Sequence, residues 1–312
     1  MSTNIEWCDE TWNPIRAFKT VWDADGAFDH DEFGWHCERV SPGCQHCYAE
    51  TINEKRFGTG LPYTRKSRDL VNIELDEKAL TQPLHWRRPR KVFVCSMTDL
   101  FGEWVPDEVI DRVFAVMALS PQHTFQLLTK RPQRMREYVV SARPRVEAES
   151  GVGNLQPGDL EAHLTWPLAN CWLGVSAEDQ AAADKRIPEL LATPAAVRFI
   201  SAEPLLGSVD VSLWLYRNNL IDRDGLDWVI VGGESGPGAR PCDIGWIRSI
   251  VGQCQAAGTA CFVKQVGAKP VGKWQPAAGK ILTPERLPDR KGGNPDEWPE
   301  DLRVREFPAV AR

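Results

Sequence analysis

Seven short apolar runs alternate with helix-like segments along the chain, and this rhythm limits the possible folds more than any other feature. Continuous apolar strands separated by helices are typical of parallel βαβ units that are buried on both faces. Seven such strands predict an α/β fold, a full or partial TIM-like (β/α) barrel of parallel strands, with a doubly wound open sheet as the alternative. The runs lie near 7–12, 91–96, 124–128, 171–175, 197–201, 228–232 and 260–264.

The predicted barrel covers residues 1–268 and contains two insertions. The insertion near 17–34 is acidic and contains glycine, and the one near 141–167 is rich in Gly, Pro and Glu. Residues 269–312 are rich in Pro, Gly and charge and have no clear periodicity. We therefore expect them to form an irregular C-terminal extension.

Three cysteines occur within eleven residues of one predicted loop, which follows the first strand of the barrel. Six residues separate Cys37 from Cys44, and two separate Cys44 from Cys47. Thiolates favour iron–sulfur clusters, zinc or Cu(I). Three local thiolates would leave one iron of a [4Fe–4S] cluster free to bind a small molecule. The alternative is a structural Cys₃His zinc site that uses His36 or His46.

The remaining cysteines and the hydropathy of the chain bear on its compartment. Cys95, Cys171 and Cys261 lie in apolar runs and are predicted to be small core residues. The chain has nine cysteines, an odd number, and no apolar leader follows Met1. No apolar run approaches the ~18 residues that span a bilayer. These features favour a reducing, cytoplasmic compartment.

Polar side chains follow nearly every apolar run. In a parallel barrel the carboxyl ends of the strands meet at one mouth, where active sites are built. A carboxylate there can bind ribose hydroxyls or an amino group, and a cation can bind a carboxylate or a phosphate. Helix caps and turns are the alternative role for such residues. The residues predicted to bind a cofactor are Ser96, Asp99, Lys130, Ser176, Glu178, Glu203, Glu234 and Lys264.

Charge is distributed unevenly. The chain holds 37 Lys and Arg against 43 Asp and Glu, whereas residues 51–150 hold 17 against 13. A local basic patch on an acidic protein is a candidate nucleic-acid surface, although most charge runs are solvated faces. The second functional hypothesis is therefore a nucleic-acid-binding protein whose iron–sulfur or zinc centre is structural. Some of the 13 tryptophans would then stack on bases.

Two common enzyme classes find little support. The glycine-rich run Gly232–Gly238 lacks the Lys-Ser/Thr ending of a phosphate-binding loop and the spacing of a dinucleotide fingerprint. No Ser-His-Asp or Cys-His arrangement stands out among six histidines. No residue is singled out as a general acid, base or nucleophile.

Several motifs resemble a phage-associated family that is recognised by its three-cysteine motif. That family is itself similar to the radical S-adenosylmethionine enzymes, with spore photoproduct lyase among the nearer relatives. The resemblance covers roughly residues 5–268. Its motifs are Trp12-Asn13-Pro14, Ser41-Pro42-Gly43-Cys44, Cys47-Tyr48-Ala49-Glu50, Ser96-Met97-Thr98-Asp99, Leu127-Leu128-Thr129-Lys130, Leu173-Gly174-Val175-Ser176, Ser201-Ala202-Glu203-Pro204 and Gly232-Gly233-Glu234-Ser235.

This resemblance implies a lyase or oxidoreductase with a [4Fe–4S] cluster on Cys37, Cys44 and Cys47. The open iron would chelate S-adenosylmethionine, and reductive cleavage would release a 5′-deoxyadenosyl radical that abstracts hydrogen from a substrate. An external electron donor is implied as a partner. The substrate is not specified by the sequence, and a nucleic acid or a DNA-repair-like lesion is expected only by analogy with the lyase.

Overall fold

The computed structural model describes residues 5–151, 165–215, 225–274 and 287–309. The chain divides into two compact units. Unit 1 contains residues 1–172 and 194–196, and unit 2 contains residues 173–193 and 197–312.

Unit 1 holds six complete strands and seven helices in its described part. They are β1 (Glu10–Trp12), β2 (Ile15–Trp22), β3 (Phe28–Gly34), α1 (Tyr48–Lys55), α2 (Arg65–Arg68), β4 (Asn72–Leu75), α3 (Glu77–Leu80), α4 (Gln82–His85), β5 (Lys91–Val94), α5 (Asp107–Ala118), β6 (Thr124–Thr129), α6 (Pro132–Ser141) and α7 (Arg143–Glu149).

Strand β7 (Cys171–Ser176) crosses from unit 1 into unit 2. The elements that follow it are α8 (Gln180–Leu191), β8 (Val197–Ala202), α9 (Ser212–Leu215), β9 (Trp228–Gly232), β10 (Cys242–Asp243), α10 (Ile244–Ala257), β11 (Ala260–Gln265), β12 (Pro270–Val271) and the 3₁₀ turns Pro295–Glu297 and Glu300–Leu302.

All seven predicted strands are present in one seven-stranded sheet. The strand order is β1-β5-β6-β7-β8-β9-β11. Within unit 1, β5 pairs in parallel with β1 and β6, and within unit 2, β9 pairs in parallel with β8 and β11. The order follows the chain without reversal, whereas a doubly wound sheet reverses at a switch point. The predicted α/β fold is confirmed, with the strand topology of a partial TIM-like barrel.

The core of unit 1 lies on the strands because their apolar runs are continuous. Trp12 on β1 is fully buried, its ring centroid is 5.6 Å from that of Phe125 on β6, and its indole nitrogen donates to the carbonyl of Ala79. Helix α5 packs its Ile110 and Phe114 stripe inward, as the spacing of these residues predicts. Burying such large side chains is the main favourable contribution to folding.

The core of unit 2 is built on its own aromatic residues. Trp228 on β9 is fully buried between Phe199 of β8 and Phe262 of β11, with ring centroids 5.6 and 6.1 Å away. Helix α10 begins at Asp243, whose carboxylate accepts from the backbone N–H of Gly245. It ends at Gly258, whose left-handed backbone terminates the helix.

The acidic segment near 17–34 is an ordered β-hairpin. Strands β2 and β3 pair antiparallel, and β4 adds to β2 to complete a separate three-stranded sheet. The turn between them is built by Asp23, whose carboxylate accepts from the N–H groups of Asp25 and Ala27. The Asp25-Gly26 turn is the main sequence signal for this hairpin, because the apolar and polar residues of 15–22 do not alternate strictly.

The second predicted insertion and the predicted C-terminal extension both contain regular structure. The region near 141–167 begins with α7, and residues 152–164 lie outside the described residues. In the C-terminal extension, residues 275–286 and 310–312 lie outside them as well. The backbone of Val304 accepts from Val263, and Trp298 is buried, so the extension packs on β11. Within the described chain, no helix is both long and apolar enough to cross a membrane.

Candidate functional site

The three cysteines lie in a loop of unit 1 between β3 and α1. A 3₁₀ turn spans Pro42–Cys44, because the N–H of Cys44 donates to the carbonyl of Ser41. Cys47 is the N-cap residue of α1, and its carbonyl accepts from Thr51. A cysteine at a helix N-terminus lies beside unpaired N–H groups, which favour its thiolate. We call residues 35–50 the cysteine loop.

Two tyrosines fasten the cysteine loop to the carboxyl end of β5. The Tyr48 hydroxyl donates to the carbonyl of Ser96 at 2.8 Å, and the Tyr63 hydroxyl donates to the carbonyl of Met97 at 2.7 Å. Since active sites of parallel α/β folds form at this end of the strands, the cysteines lie where such a site is expected. The sequence gives no hint that Tyr63, sixteen residues after the last cysteine, takes part.

Further hydrogen bonds hold the segment that follows β5 against β1 and against the cysteine loop. Asn13, which follows β1, donates to the Ser96 hydroxyl at 3.1 Å and accepts from the N–H of Met97 at 3.0 Å. The Thr98 hydroxyl donates to the carbonyl of His36 in the cysteine loop. Ser96 therefore lies beside the loop, as predicted, but its hydroxyl is already held by Asn13.

Asp99, which follows β5 in the chain, is buried next to the carboxyl end of β6. Its carboxylate accepts from the Thr129 hydroxyl at 2.7 Å, from the Lys130 N–H at 3.1 Å and from the Arg131 guanidinium at 3.1 Å. Arg131 in turn donates to the carbonyl of Glu38 in the cysteine loop at 3.3 Å. Asp99 and the backbone of Lys130 thus lie close to the cysteines, and the Asp99 carboxylate already accepts several hydrogen bonds.

The three thiols share one electrostatic environment. Burial raises the pKa of the Cys37 thiol, and the negative charge of Asp99 raises it further, whereas Arg131 lowers it. The thiolates of Cys47 and Cys44 also raise the pKa of Cys37, because like charges close together disfavour each other. All three sulfur atoms are therefore near enough to influence one another.

The surroundings of Cys47 have opposing effects on the pKa of its thiol. Burial raises its pKa most strongly, while the N–H groups of Glu50 and Ala49 and the charge of Lys130 lower it. A bound cation would remove the effect of burial, because a coordinating thiol is deprotonated by its metal. Lys130, predicted to bind a cofactor, is thus placed electrostatically beside Cys47.

Four buried polar atoms near His36 have no hydrogen-bond partner among the described residues; three belong to neighbours of Cys37 in the chain, and the fourth belongs to Trp104, whose ring centroid is 5.0 Å from that of His36. They are Trp35 Nε1, His36 Nε2, Glu38 Oε1 and Trp104 Nε1. His36 Nε2 and Glu38 Oε1 lie 3.7 Å apart, too far for a hydrogen bond. Burial lowers the pKa of His36, which keeps its ring neutral at pH 7. Water, an ion or a ligand can satisfy buried polar atoms that have no partner in the protein.

The cysteine thiols are suitable metal ligands by their chemistry, but their positions in this structure are not those of a metal centre. In the described ranges, no three His, Cys, Asp or Glu side chains are arranged so that they could hold a metal ion. The thiols make long contacts instead, from Cys37 to the carbonyl of Glu38 and from Cys44 to the Ser41 hydroxyl, each at 3.9 Å. The donor set suits an iron–sulfur cluster, and binding one requires the sulfur atoms to converge further.

In unit 2, the predicted residue Glu178 forms a buried ion pair. Its carboxylate, which is fully buried, accepts from Arg186 of α8 at 2.7 Å, and Arg186 also donates to the carbonyl of Ser176. This pairing accounts for a buried carboxylate without any ligand. The structure brings Ser176 and Glu178 together with Arg186.

Glu203 and Lys264 also meet within unit 2. The Lys264 ammonium donates to Glu203 at 2.6 Å, and the same carboxylate oxygen accepts from the amide of Gln265 at 3.1 Å. The two residues are 61 positions apart, and the predicted co-location of these strand ends is what joins them.

Glu234 is held by the turn that follows β9. Its carboxylate accepts from the Arg240 guanidinium at 2.6 Å and from the Arg240 backbone N–H at 2.8 Å. Gly233 lies so close to β11 that an added Cβ would be 2.5 Å from the carbonyl oxygen of Val266. A side chain at this position would therefore collide with the backbone that follows β11.

Structural contacts take up part of the predicted basic patch. Arg90 pairs with Glu10 at 2.8 Å. Arg131 is held by Asp99, and Arg134 donates to the carbonyl of Val105. The residues 65, 66 and 68 of α2 are exposed cations.

The functional residues that sequence reasoning missed are Arg39, Glu50 and Asn53. The carboxylate of Glu50, which is buried, accepts from both Arg39 and the N–H of Tyr63, so it ties the cysteine loop to the chain after α1. Asn53 accepts from the N–H of Trp35 at 2.8 Å and donates to the carbonyl of Leu61. The only sequence signal was the spacing of Glu50 and Asn53, which lie one turn apart on the helix that follows Cys47; nothing marked Arg39.

Comparison with known proteins places the chain in one family. The model of that family, described as a protein of unknown function (DUF5131), matches residues 32–290, so the chain belongs to it. The matched region begins just before the cysteine loop and covers most of both units. Neither the curated proteins nor the solved structures contain a significant match.

Proposed function

We propose that this member of the family binds a [4Fe–4S] cluster on Cys37, Cys44 and Cys47 and acts as an enzyme of the radical S-adenosylmethionine type. The observation that carries the proposal is the cysteine loop itself: three cysteines within eleven residues, held by Tyr48 and Tyr63 at the backbone that follows β5. With its cluster and S-adenosylmethionine bound, such a site supplies one-electron cleavage of a sulfonium.

The chain's own residues would hold and shield the site. Arg131 and Lys130 bring positive charge toward Cys37 and Cys47, which favours their thiolates. Asp99 fixes the guanidinium of Arg131, so that this charge stays in place.

An apolar cluster covers one side of the thiols. Tyr63 and Met97 are buried in it, and Cys37, Cys47 and Trp35 pack against it. Excluding water from this side favours a reactive site over an exposed metal staple. The unpaired nitrogens of Trp35 and Trp104 offer hydrogen-bond donors to sulfide or to a bound ligand.

The test is anaerobic reconstitution with iron and sulfide, followed by reduction in the presence of S-adenosylmethionine. We expect release of 5′-deoxyadenosine by the natural chain and none by Cys44→Ala. The matched control is Cys8→Ala, which removes a cysteine outside the loop and should leave the yield unchanged. A fully loaded cluster that neither binds nor cleaves the cofactor would refute the enzymatic proposal.

A second function has one observation in its favour. Helix α2 exposes three cations within four residues, at positions 65, 66 and 68. A nucleic-acid-binding protein with a structural iron–sulfur or zinc centre would use them on phosphates. It predicts binding that falls steeply with salt and survives Cys44→Ala. Metal analysis of anaerobically purified protein separates zinc from iron.

A further inference from the structure

Exposed aromatic side chains are concentrated on the three-stranded sheet of unit 1. Trp22, Phe28 and Phe33 on this sheet are 61%, 59% and 59% exposed, and Phe57 is 66% exposed. Most large aromatic residues of a soluble domain are covered. A group of uncovered rings on one surface marks an interaction site.

Strand register puts the sheet aromatics on one face. Trp22 pairs with Phe28, and Phe18 pairs with Phe33, with ring centroids 6.4 and 5.9 Å apart. Residues two apart on a strand share a face, so Phe18 and Trp22 lie on the same side of β2. Ile15 and Ala17, which alternate with Phe18 and Trp22 along β2, are buried on the other side. The sheet therefore covers the core with one face and presents aromatic rings with the other.

A groove of about 360 Å³ lies at the base of this aromatic face. Its lining residues are Arg16, Phe33, Trp35, Phe57, Glu74 and Asp76. Arg16 stacks on Trp35 with its guanidinium carbon 4.4 Å from the ring centroid, and its Nε lies 3.6 Å from Asp76. The side chain of Glu74 has no ion-pair partner in the described part of the chain.

The charge of the sheet decides what the groove can accept. Residues 15–34 and 72–76 contain seven Asp and Glu against two Lys and Arg. One of the two cations, Lys19, is already paired with Glu32 at 2.6 Å. A surface that combines exposed rings with excess carboxylate complements a cationic partner. Nucleic acid and an identical acidic surface of a second copy are both disfavoured by repulsion.

We propose that this aromatic face docks a basic protein segment. A lysine or arginine of the segment enters the groove between Phe33 and Phe57 and pairs with Glu74. Apolar residues on either side of that cation pack on Trp22 and Phe28. The proposal does not depend on the proposed [4Fe–4S] cluster, because none of the three cysteines Cys37, Cys44 and Cys47 lines the groove.

The groove is nevertheless linked to the cysteine loop. Trp35 lines it, and Trp35 also packs against the cluster formed by Ala49, Tyr63 and Met97. A segment bound in the groove would therefore contact a residue two positions from Cys37. The bound segment would thus contact the first residue of the cysteine loop but none of its cysteines.

The test is titration of the natural chain with a fluorescein-labelled dodecapeptide of alternating lysine and leucine, followed by anisotropy. Phe57→Ala and Glu74→Gln should each weaken binding by roughly tenfold. The matched control, Val140→Ala, truncates a side chain that is 64% exposed on α6 and should leave affinity unchanged. Circular dichroism verifies folding, and Phe33→Ala replaces Phe57→Ala if that variant unfolds.

Several results would overturn the proposal. If a peptide of alternating glutamate and leucine binds as tightly, recognition does not depend on the acidic charge of the face. If Phe57→Ala and Phe33→Ala both bind with unchanged affinity, the peptide does not bind in the groove. Tight binding of dodecathymidylate that Phe57→Ala abolishes would assign the face to nucleic acid. Concentration-dependent dimerisation abolished by the same substitution would assign it to a second copy.

Discussion

The predicted site residues of the two units differ in what already surrounds them. In unit 2, Glu178, Glu203 and Glu234 each pair with a cation of the chain. In unit 1, the thiols of Cys37 and Cys44 make contacts of 3.9 Å. The unit 2 carboxylates are thus explained by structure alone, whereas the cysteines, beside four unpaired polar atoms, are not. Function is therefore better sought among the residues that lack a structural role.

The largest expected stability effect is at the buried ion pair of unit 2. Glu178→Ala leaves the Arg186 guanidinium buried without its carboxylate, and we expect the free energy of unfolding to fall by about 3–5 kcal/mol. Urea denaturation followed by circular dichroism measures it. If Glu178→Ala is as stable as the natural chain, the pair is not structural and Glu178 returns to the ligand-binding candidates.

Asp99→Asn sharpens the comparison within unit 1. The amide keeps the size of the side chain but weakens the hydrogen bonds from Arg131 and Thr129. We expect a loss of about 2–3 kcal/mol in unfolding free energy, since both partners are buried. Stability that is unchanged, together with weaker binding of S-adenosylmethionine, would instead give Asp99 a ligand role.

Alkaline pH tests the burial of a core cysteine in unit 2. Burial raises the pKa of the Cys242 thiol in unit 2 from its ordinary 9.0 to about 12. The folded state therefore keeps this proton where the unfolded chain loses it. Its contribution to stability is complete below pH 9 and is lost between about pH 9 and 12, at about 1.4 kcal/mol per pH unit.

The measurement is urea unfolding at several pH values for the natural chain and Cys242→Ala. The variant should show a shallower decline of unfolding free energy above pH 9. Identical slopes in the two proteins would mean that the Cys242 thiol is not protected by burial.

The smallest effect is expected at the partly exposed pair of unit 2. Glu203→Gln keeps the hydrogen bond from Gln265 possible and removes only the charge facing Lys264. We expect a loss of about 1 kcal/mol, because solvent screens a pair that is not fully buried. Thermal denaturation measures it. A loss as large as that of Glu178→Ala would mean that the Glu203–Lys264 pair contributes as much to stability as the fully buried pair of Glu178 and Arg186.

The sequence predicted the seven strands because their apolar runs are continuous and bounded by polar residues. It located Ser96 and Asp99 beside the cysteine loop because parallel strands bring their carboxyl ends together. It did not identify the ion-pair partners, since Lys264 lies 61 residues from Glu203 and nothing local links them. The hairpin of β2 and β3 was missed because neither strand alternates apolar and polar residues: β3 has only polar residues between Phe28 and Phe33.

The roles of Tyr63 and Asn53 could not be predicted for a related reason. Both act through hydrogen bonds whose partners depend on how the chain turns after α1: Tyr63 with Met97, Asn53 with Leu61. Motif spacing specified the candidate metal ligands, but the side chains that position them follow from tertiary structure.

The most direct test of the cysteine loop as a cluster site is the iron and sulfide content of anaerobically reconstituted protein, with its electron paramagnetic resonance spectrum. We expect about four irons per chain and a reduced-cluster signal that changes when S-adenosylmethionine is added. Replacing Cys37, Cys44 and Cys47 together by alanine should abolish both. Iron content that is unchanged in the triple variant, or zinc in place of iron, would contradict the account.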